Sequence, residues 1–234
     1  MALLVRSWNV YHGMTSPRDR RSHLAEAVRL VTADEPDVVC LQEVPLWGCP
    51  KLAEWSGMSA FAKSARAVWF PPRLGGWITR LNQGALRSAV SGQANAILLL
   101  PSLSALEHRS QVISDGRGER RICHAVRIDG MVIANLHASC VDDCVENGAA
   151  EILRALAFAE TLVKPGDALI LAGDFNLLPD ELPALPGFSS AGPLIDHILV
   201  RGAKVTPLEV WPEERRRTAS GLLSDHAPVE LEVG

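Results

Sequence analysis

The 234-residue sequence lacks the features of a membrane-spanning or secreted protein. No apolar run approaches the ~20 residues that a helix needs to cross a bilayer. Residues 1–6 contain neither a basic leader nor an apolar stretch as long as that of a signal peptide. We therefore expect a cytoplasmic protein without a membrane anchor.

A regular cysteine framework is also missing, because the five cysteines are odd in number and irregularly spaced. Cys40 and Cys123 lie in apolar segments, which is typical of small buried side chains. Cys140 and Cys144 lie four residues apart in a polar loop, where a metal or redox pair is one interpretation. Two ordinary loop thiols are favoured, because a zinc site needs ligands beyond this pair.

The net charge of −4, from 23 basic and 27 acidic residues, disfavours a protein that coats nucleic acid non-specifically. A local basic surface is compatible with it, because residues 55–106 contain no acidic residue. Within this segment we predict a helix over residues 77–90, and Arg73, Arg80 and Arg87 recur at seven-residue intervals. We expect its apolar stripe to pack on a sheet. A basic amphipathic surface for an anionic substrate or lipid head groups is the alternative.

The apolar pattern predicts short strands mixed with helices. A strand over residues 5–10, a helix over 18–33 and a strand over 37–41 form the first unit. Further strands are predicted over residues 94–100, 105–113, 120–128, 131–137, 168–172, 194–200, 204–211 and 229–233, and a helix over 149–163. The mixture indicates an α/β protein with mixed sheets and outer helices. No linker divides the chain, so residues 1–234 are predicted to form one domain.

Polar side chains recur where the predicted strands begin or end. They are Asn9, Gln42, Glu43, Asn135, His137, Asp174, Asn176, Asp196, His197, Asp225 and His226. A strand end holds a side chain rigidly and leaves it accessible, which suits a functional site. Carboxylates combined with amide oxygens suit Mg²⁺ or Mn²⁺ rather than zinc. A histidine held by a carboxylate can act as a base, or can stabilise charge on a transferring phosphoryl group.

Each motif alone also has a structural interpretation. Glu43 could be a surface acid or a helix cap, and residues 225–228 could form a turn. Short motifs match by chance, so the functional interpretation depends on six of them occurring together.

In chain order these six motifs resemble those of the endonuclease/exonuclease/phosphatase superfamily of metal-dependent phosphoesterases. They are Trp8-Asn9, Leu41-Gln42-Glu43, Asn135-Leu136-His137, Gly173-Asp174-Phe175-Asn176, Ile195-Asp196-His197 and Ser224-Asp225-His226. The resemblance covers nearly the whole chain. It implies a four-layer α/β sandwich, with two packed mixed β-sheets flanked by helices.

The resemblance also implies a metal centre and a nucleophile. Glu43 would be the main ligand of Mg²⁺ or Mn²⁺, with Asn9 and Asp225 completing or orienting the metal shell. Asp174 would orient or activate the attacking water.

Further roles concern the phosphate. The resemblance pairs His226 with Asp196 as a dyad at the scissile group. Four other residues are implied as phosphate or substrate contacts: His137, Asn176, Arg121 and Asn95. Arg120 is the alternative to Arg121.

The substrate is less well defined, because the superfamily acts on nucleic acids, inositol phosphates, phospholipids and small phosphoesters. Tyr11 is the only tyrosine, so the abasic-site endonucleases, which have characteristic tyrosines, are disfavoured. We favour a nuclease-type phosphodiesterase acting on DNA or RNA. The alternatives are a phosphatase or phospholipase-type enzyme for a small or lipid phosphoester and, less favoured, a non-catalytic binding module. Membrane contact is not favoured, and no obligatory protein partner is implied.

Three remaining features receive structural interpretations. We expect His12 to have a loop or packing role rather than to line the site. His197 is expected to point away from Asp196, and residues 215–217 are expected to form a solvated turn, with a phosphate-facing rim as the alternative.

Overall fold

The computed structural model describes residues 2–19, 21–65, 92–115, 120–139 and 145–234, which form two six-stranded sheets and one three-stranded sheet. Sheet one contains, in spatial order, Glu209–Val210 (β12), Val229–Val233 (β15), Leu3–Asn9 (β1), Val38–Pro45 (β3), Gln93–Leu99 (β5) and Ser59–Ser64 (β4). Sheet two contains Phe188–Ser189 (β10), Asp196–Arg201 (β11), Ala168–Asp174 (β9), Met131–His137 (β8), Ile122–Ile128 (β7) and Glu107–Val112 (β6). The small sheet contains Arg217–Thr218 (β13), Gly221–Leu223 (β14) and Thr15–Ser16 (β2).

Both large sheets are mixed. Strands β1 and β3 run parallel in sheet one, and β8 and β9 run parallel in sheet two, whereas the other described neighbours within these sheets are antiparallel. In each sheet the parallel pair is central, so both of its strands have a hydrogen-bonded neighbour on each side. The carboxyl ends of these parallel strands are where the polar motifs lie.

Alternation of side chains along the strands produces the layers. In β3, Val38 and Cys40 pack against sheet two, whereas Val39 and Leu41 pack under the helices. Helices Leu24–Thr32 (α1) and Leu52–Ser56 (α2) cover the outer face of sheet one, and Val145–Glu160 (α3) covers that of sheet two. Each fully buried aliphatic side chain contributes roughly 1.5–3 kcal/mol. The four-layer α/β sandwich predicted from the sequence is confirmed.

Two predicted elements are shorter than expected. The helix predicted over residues 18–33 begins only at Leu24, because residues 15–16 pair with β14 and Pro17 follows them. The strand predicted over residues 204–211 is reduced to β12 and an isolated bridge between Val205 and Val233. Pro207 lies between the two and has no N–H to donate to a ladder.

The remaining predictions have different outcomes. Strand β4 and helix α2 occur in a segment for which no regular structure was predicted. Cys40 and Cys123 are buried free thiols, as expected. The predicted helix over residues 77–90, the residues Arg73, Arg80 and Arg87, and the pair Cys140 and Cys144 lie outside the described residues. That the chain is a single domain stays a prediction.

In the part of the chain that the structure describes, no helix is both long enough and apolar enough to cross a membrane.

Candidate active site

All ten residues predicted for the site lie at one end of the sandwich, where β1 and β3 of sheet one face β8, β9 and β11 of sheet two. His137 and Asp174 are the last residues of the parallel strands β8 and β9 and lie opposite one another in the register. Asp196 begins β11 and lies opposite Asp174 on its other side. Three neighbouring strands thus present three titratable side chains at one edge.

Glu43 reaches this edge from sheet one through an irregular strand. The pairing of β3 with β5 shifts register between Leu41 and Val44, and Glu43 has a left-handed backbone with a φ of 55°. Such a bulge turns a side chain away from the direction that regular alternation would give. A non-glycine residue in this conformation costs about 1–3 kcal/mol and is found preferentially at functional sites.

Burial, and after it the charge of the Asp174 carboxylate, raises the pKa of Glu43 to about 7, against the lowering effect of a hydrogen bond with Asn9. The pKa of Asp174 is raised to about 6, first by burial and then by the charge of Asp196. Two buried carboxylates therefore disfavour each other's ionised form. A cation between them would relieve that repulsion.

Asn9 connects these groups as a donor. Its Nδ2 donates to Oδ2 of Asp174 at 2.9 Å, whereas its Oδ1 accepts the backbone N–H of Tyr11 at 3.0 Å. The Tyr11 contact fixes the amide with its nitrogen toward the carboxylates. In this arrangement Asn9 orients the carboxylates, and its predicted part in a metal shell stays a prediction.

Asp174 is held by its own loop. Gly173 has a φ of 144°, and a Cβ there would collide with the carbonyl oxygen of Leu136, so only glycine fits before the aspartate. The backbone N–H of Asn176 donates to Oδ1 of Asp174 at 3.1 Å, and the side-chain Nδ2 of Asn176 donates to the carbonyl of Ala138 at 2.9 Å. Both oxygens of Asp174 therefore have fixed neighbours.

His226 and Asp196 form the predicted pair. Nδ1 of His226 lies 2.8 Å from Oδ2 of Asp196, and Nε2 lies 3.8 Å from Oδ2 of Asp174. Ser224 fixes the loop, because its hydroxyl donates to the carbonyl of Asn9 at 2.6 Å and accepts the N–H of His226 at 3.1 Å. Burial alone would lower the pKa of His226, but the hydrogen bond and the charge of Asp196 outweigh it and raise the pKa to about 9.

His137 is buried between Asp174 and Arg121. Burial, and after it the charge of Arg121, holds the pKa of His137 well below its usual value. Nη1 of Arg121 lies 3.0 Å from Nδ1 of His137, and Nε2 of His137 lies 3.4 Å from Oδ2 of Asp174. The same Nη1 lies 3.3 Å from Nε2 of His137, so the guanidinium contacts both ring nitrogens.

Asn95, Arg121 and Arg120 line a cavity of about 20 Å³ beside His137. Nδ2 of Asn95 donates across the sheets to the carbonyl of Ile122 at 3.0 Å. Asp225 lies at the exposed rim, with Oδ1 4.0 Å from Nε2 of His226. The substrate or metal roles of Asn95, Arg121 and Asp225 remain predictions.

The structure adds two contacts to the predicted site. His12 lies with Nε2 3.2 Å from Oε2 of Glu43, although a packing or loop role was expected for it. Beneath the site, Nε2 of Gln42 donates to Oδ1 of Asn135 at 2.8 Å and so joins the two sheets. The sequence signal for both was their closeness to motif residues. His12 lies three residues after Asn9, and Gln42 directly precedes Glu43. His197, by contrast, points away from Asp196 as expected, toward Leu177 and Gly192.

Comparison with known proteins agrees with this geometry. Residues 7–226 match the sequence model of the Endonuclease/Exonuclease/phosphatase family, so the chain belongs to that family, whose members are phosphoesterases. No curated protein matches the chain.

Solved structures show the same fold at low sequence identity. TDP2 from Caenorhabditis elegans is 17% identical, with a TM-score of 0.72 over 100% of this chain and 74% of that one. A conserved protein of unknown function from Enterococcus faecalis V583 is 16% identical, with a TM-score of 0.74 over 99% of both chains. A mannosyl-6-phosphatase from Bacteroides thetaiotaomicron VPI-5482 is 17% identical, with a TM-score of 0.69 over 99% of both chains.

The family is generally dependent on a divalent metal. In the described part of the chain, one group of three His, Cys, Asp or Glu side chains brings its ligand atoms within 4.8 Å of one another, namely Asp174, Asp196 and His226. Glu43 adds a buried carboxylate whose ionised form is disfavoured next to Asp174. Oxygen-rich surroundings of this kind fit a hard cation such as Mg²⁺ or Mn²⁺.

Proposed function

We propose that the protein is a divalent-metal-dependent phosphodiesterase of nuclease type, in which a water attacks the phosphorus in line. The observation that supports this most is the meeting of Glu43, Asp174 and the His226–Asp196 pair at one edge of the two sheets. Each of these groups comes from a different strand or loop, so the arrangement depends on the whole fold. A purely structural role would not require two buried carboxylates to repel each other.

Glu43 would hold the metal, with Asp174 and Asp225 nearby and Asn9 orienting the carboxylates. When bound, Mg²⁺ or Mn²⁺ would neutralise the phosphate and stabilise the leaving oxygen. The protein side chains perform the remaining tasks of orientation and proton transfer.

The pKa values of Asp174 and His226 give these two groups different roles. Asp174, with a pKa of about 6, is ionised at pH 8 and can accept a proton from the attacking water. His226, with a pKa of about 9, is protonated at the same pH and can stabilise negative charge on the phosphoryl oxygens. Asp196 keeps His226 protonated and fixes the direction of its Nε2.

The remaining predicted residues are proposed to surround the bound phosphate. Nε2 of His137 lies 3.4 Å from Oδ2 of Asp174, and Arg121 beside the ring adds a positive charge. Asn176 and Asn95 are proposed as further substrate contacts at the edges of this group. Each side-chain amide donates a hydrogen bond to a backbone carbonyl, which holds the side chain in place.

The test is cleavage of supercoiled plasmid and of single-stranded DNA with Mg²⁺ or Mn²⁺, against an EDTA blank. We expect metal-dependent nicking in the wild type and loss of nicking in His226→Ala and Asp174→Asn. His108→Ala, an exposed histidine on β6, is the matched control and should nick normally. Full activity in EDTA, or in either site variant, would contradict the proposal.

The second candidate is a phosphatase for a small phosphomonoester, which the similarity of fold to a mannosyl-6-phosphatase favours. If no DNA is cleaved, the same proteins should be tested for phosphate release from sugar phosphates, inositol phosphates and lipid head groups. Release that requires metal and His226 would establish this alternative on the same residues.

A further inference from the structure

The loop after β1 has an unusual backbone where it passes Glu43. Tyr11, His12 and Gly13 have φ values of 47°, 54° and 77°, so three consecutive residues are left-handed. Gly13 is required there, because a Cβ would lie 2.6 Å from Cβ of Leu24. Tyr11 and His12 have no such freedom, and side-chain-bearing residues adopt this conformation rarely. The left-handed backbone at Tyr11 and His12 therefore destabilises the folded loop, and it sets the direction of the His12 side chain.

The side chain of His12 points to the candidate metal centre. His12 is 8% exposed, and its Nε2 lies 3.2 Å from Oε2 of Glu43. Glu43 is itself left-handed, so both partners of the contact have strained backbones. The backbone N–H of Val10 donates to the carbonyl of Gln42 at 3.1 Å and ties the two segments together just below. Strain retained on both sides of one contact indicates that the contact has a function.

We propose that His12 is a positioning residue, which holds one oxygen of Glu43 and thereby leaves the other oxygen to face Asp174 and the metal. The proposal rests on the metal-dependent function above and adds a residue to it. Ligating carboxylates are commonly held by hydrogen-bond donors behind them, and loss of such a donor typically weakens metal affinity 10- to 100-fold. Nε2 of His12 lies 3.2 Å from Oε2 of Glu43 and would be such a donor when it carries the ring proton.

Two substitutions test the side-chain donor of His12 separately from the left-handed backbone of this residue. Gln places its amide nitrogen close to where Nε2 of His lies, whereas the shorter Asn does not reach Glu43. Asn tolerates the left-handed conformation better than most residues, so His12→Asn preserves the loop while removing the donor. His23→Asn is the control, because His23 lies in the same connection but contacts Asp19 and Glu26 instead.

The experiment measures Mn²⁺ affinity without substrate, by calorimetry and by the electron paramagnetic resonance signal of free Mn²⁺. We expect His12→Asn to bind Mn²⁺ 10- to 100-fold more weakly than wild type. His12→Gln should recover most of the affinity, and His23→Asn should match wild type. Thermal unfolding in EDTA, expected to be similar for all variants, excludes a loss of fold.

Unchanged affinity in His12→Asn would overturn the positioning role and leave the proposed function intact. A nitrogen coupling to bound Mn²⁺ that disappears only in the His12 variants would make His12 a direct ligand and would also overturn it. Absence of Mn²⁺ binding by the wild type would instead contradict the proposed metal-dependent function itself.

Discussion

Nδ1 of His226 lies 2.8 Å from Oδ2 of Asp196, although the two residues are 30 positions apart in the chain. Asp196 begins β11 of sheet two, and His226 precedes β15 of sheet one. The contact therefore joins the two sheets at the candidate active site. Its electrostatic consequence is a histidine that stays protonated at neutral pH, since the pKa of His226 is raised to about 9.

Removing the charge of Asp196 should reverse that shift. In Asp196→Asn, burial remains and lowers the pKa of His226, so we expect a fall of about 2 units or more, measured by NMR titration of the ring signals. If His226 acts as a cation, the rate of phosphoester cleavage at pH 8 should fall about 10-fold or more, because a pKa near 7 leaves about a tenth of His226 protonated. Asp129→Asn, on the β7–β8 hairpin at the opposite end of the sheet, is the matched control. A pKa that stays near 9 would refute the assigned cause.

Glu43 should destabilise the metal-free protein at high pH. Its pKa is about 7 when folded and 4.5 in the reference state, so the folded protein binds this proton more tightly. The resulting stability is present below pH 4.5 and is lost as the pH rises through 7. In EDTA at pH 8, Glu43→Gln should therefore increase the free energy of unfolding, by about 1–3 kcal/mol. Near pH 4 the two proteins should differ little.

Denaturant unfolding in EDTA at both pH values measures this effect, and Mn²⁺ provides the control. The ion should stabilise the wild type more than Glu43→Gln, because only the wild type retains the carboxylate. A variant less stable than wild type at pH 8 in EDTA would show that Glu43 is not under the repulsion described.

The strand pattern together with the family resemblance was sufficient to predict the four layers. Short apolar strands, each ending in a polar motif, bring those motifs to one edge once parallel strands pair, as His137 and Asp174 do. Periodicity also located the helix at Leu24–Thr32, although not its start. The strand predicted over residues 204–211 contains Pro207, and only the observed pairing showed that the ladder is interrupted there.

The contacts of His12 and Gln42 were beyond sequence patterns. Left-handed backbones at Tyr11, His12 and Glu43 carry no local signal, because propensity predicts the opposite for residues with side chains. Contacts between the sheets depend on long-range packing, which alternation along one strand does not specify. The predicted roles of the site residues therefore rest on their geometry and await the measurements above.

The three arginines 215–217 were expected to form a solvated turn, but Arg216 is buried, whereas Arg215 and Arg217 are exposed. Arg216 is 7% exposed and donates to the carbonyls of Leu223 and Ser224 at 3.3 and 3.0 Å. We expect Arg216→Gln to lower the free energy of unfolding by about 1–3 kcal/mol, because it leaves buried carbonyls without their donor. Since these carbonyls precede His226, phosphoester cleavage should also slow.

Arg217 supplies the comparison for that experiment. It is exposed and pairs with Glu213 at 2.8 Å on the surface, so Arg217→Gln should change stability by less than about 0.5 kcal/mol. Chemical denaturation of both variants measures the difference. Equal effects of the two substitutions would show that Arg216 does not support the loop.

The cross-sheet amide pair beneath the site should couple stability to catalysis. Gln42 donates to Oδ1 of Asn135, and Nδ2 of Asn135 donates to the carbonyls of Leu41 and Ala96 at 2.9 and 2.8 Å. Asn135→Leu leaves these buried carbonyls without a donor, so we expect a loss of about 2–4 kcal/mol. A double-mutant cycle with Gln42→Leu should give a coupling energy of about 0.5–3 kcal/mol, because the two amides are in direct contact. Strictly additive losses would mean that apolar packing alone holds the sheets in register. The spacing between Glu43 and Asp174 would then not depend on this amide pair.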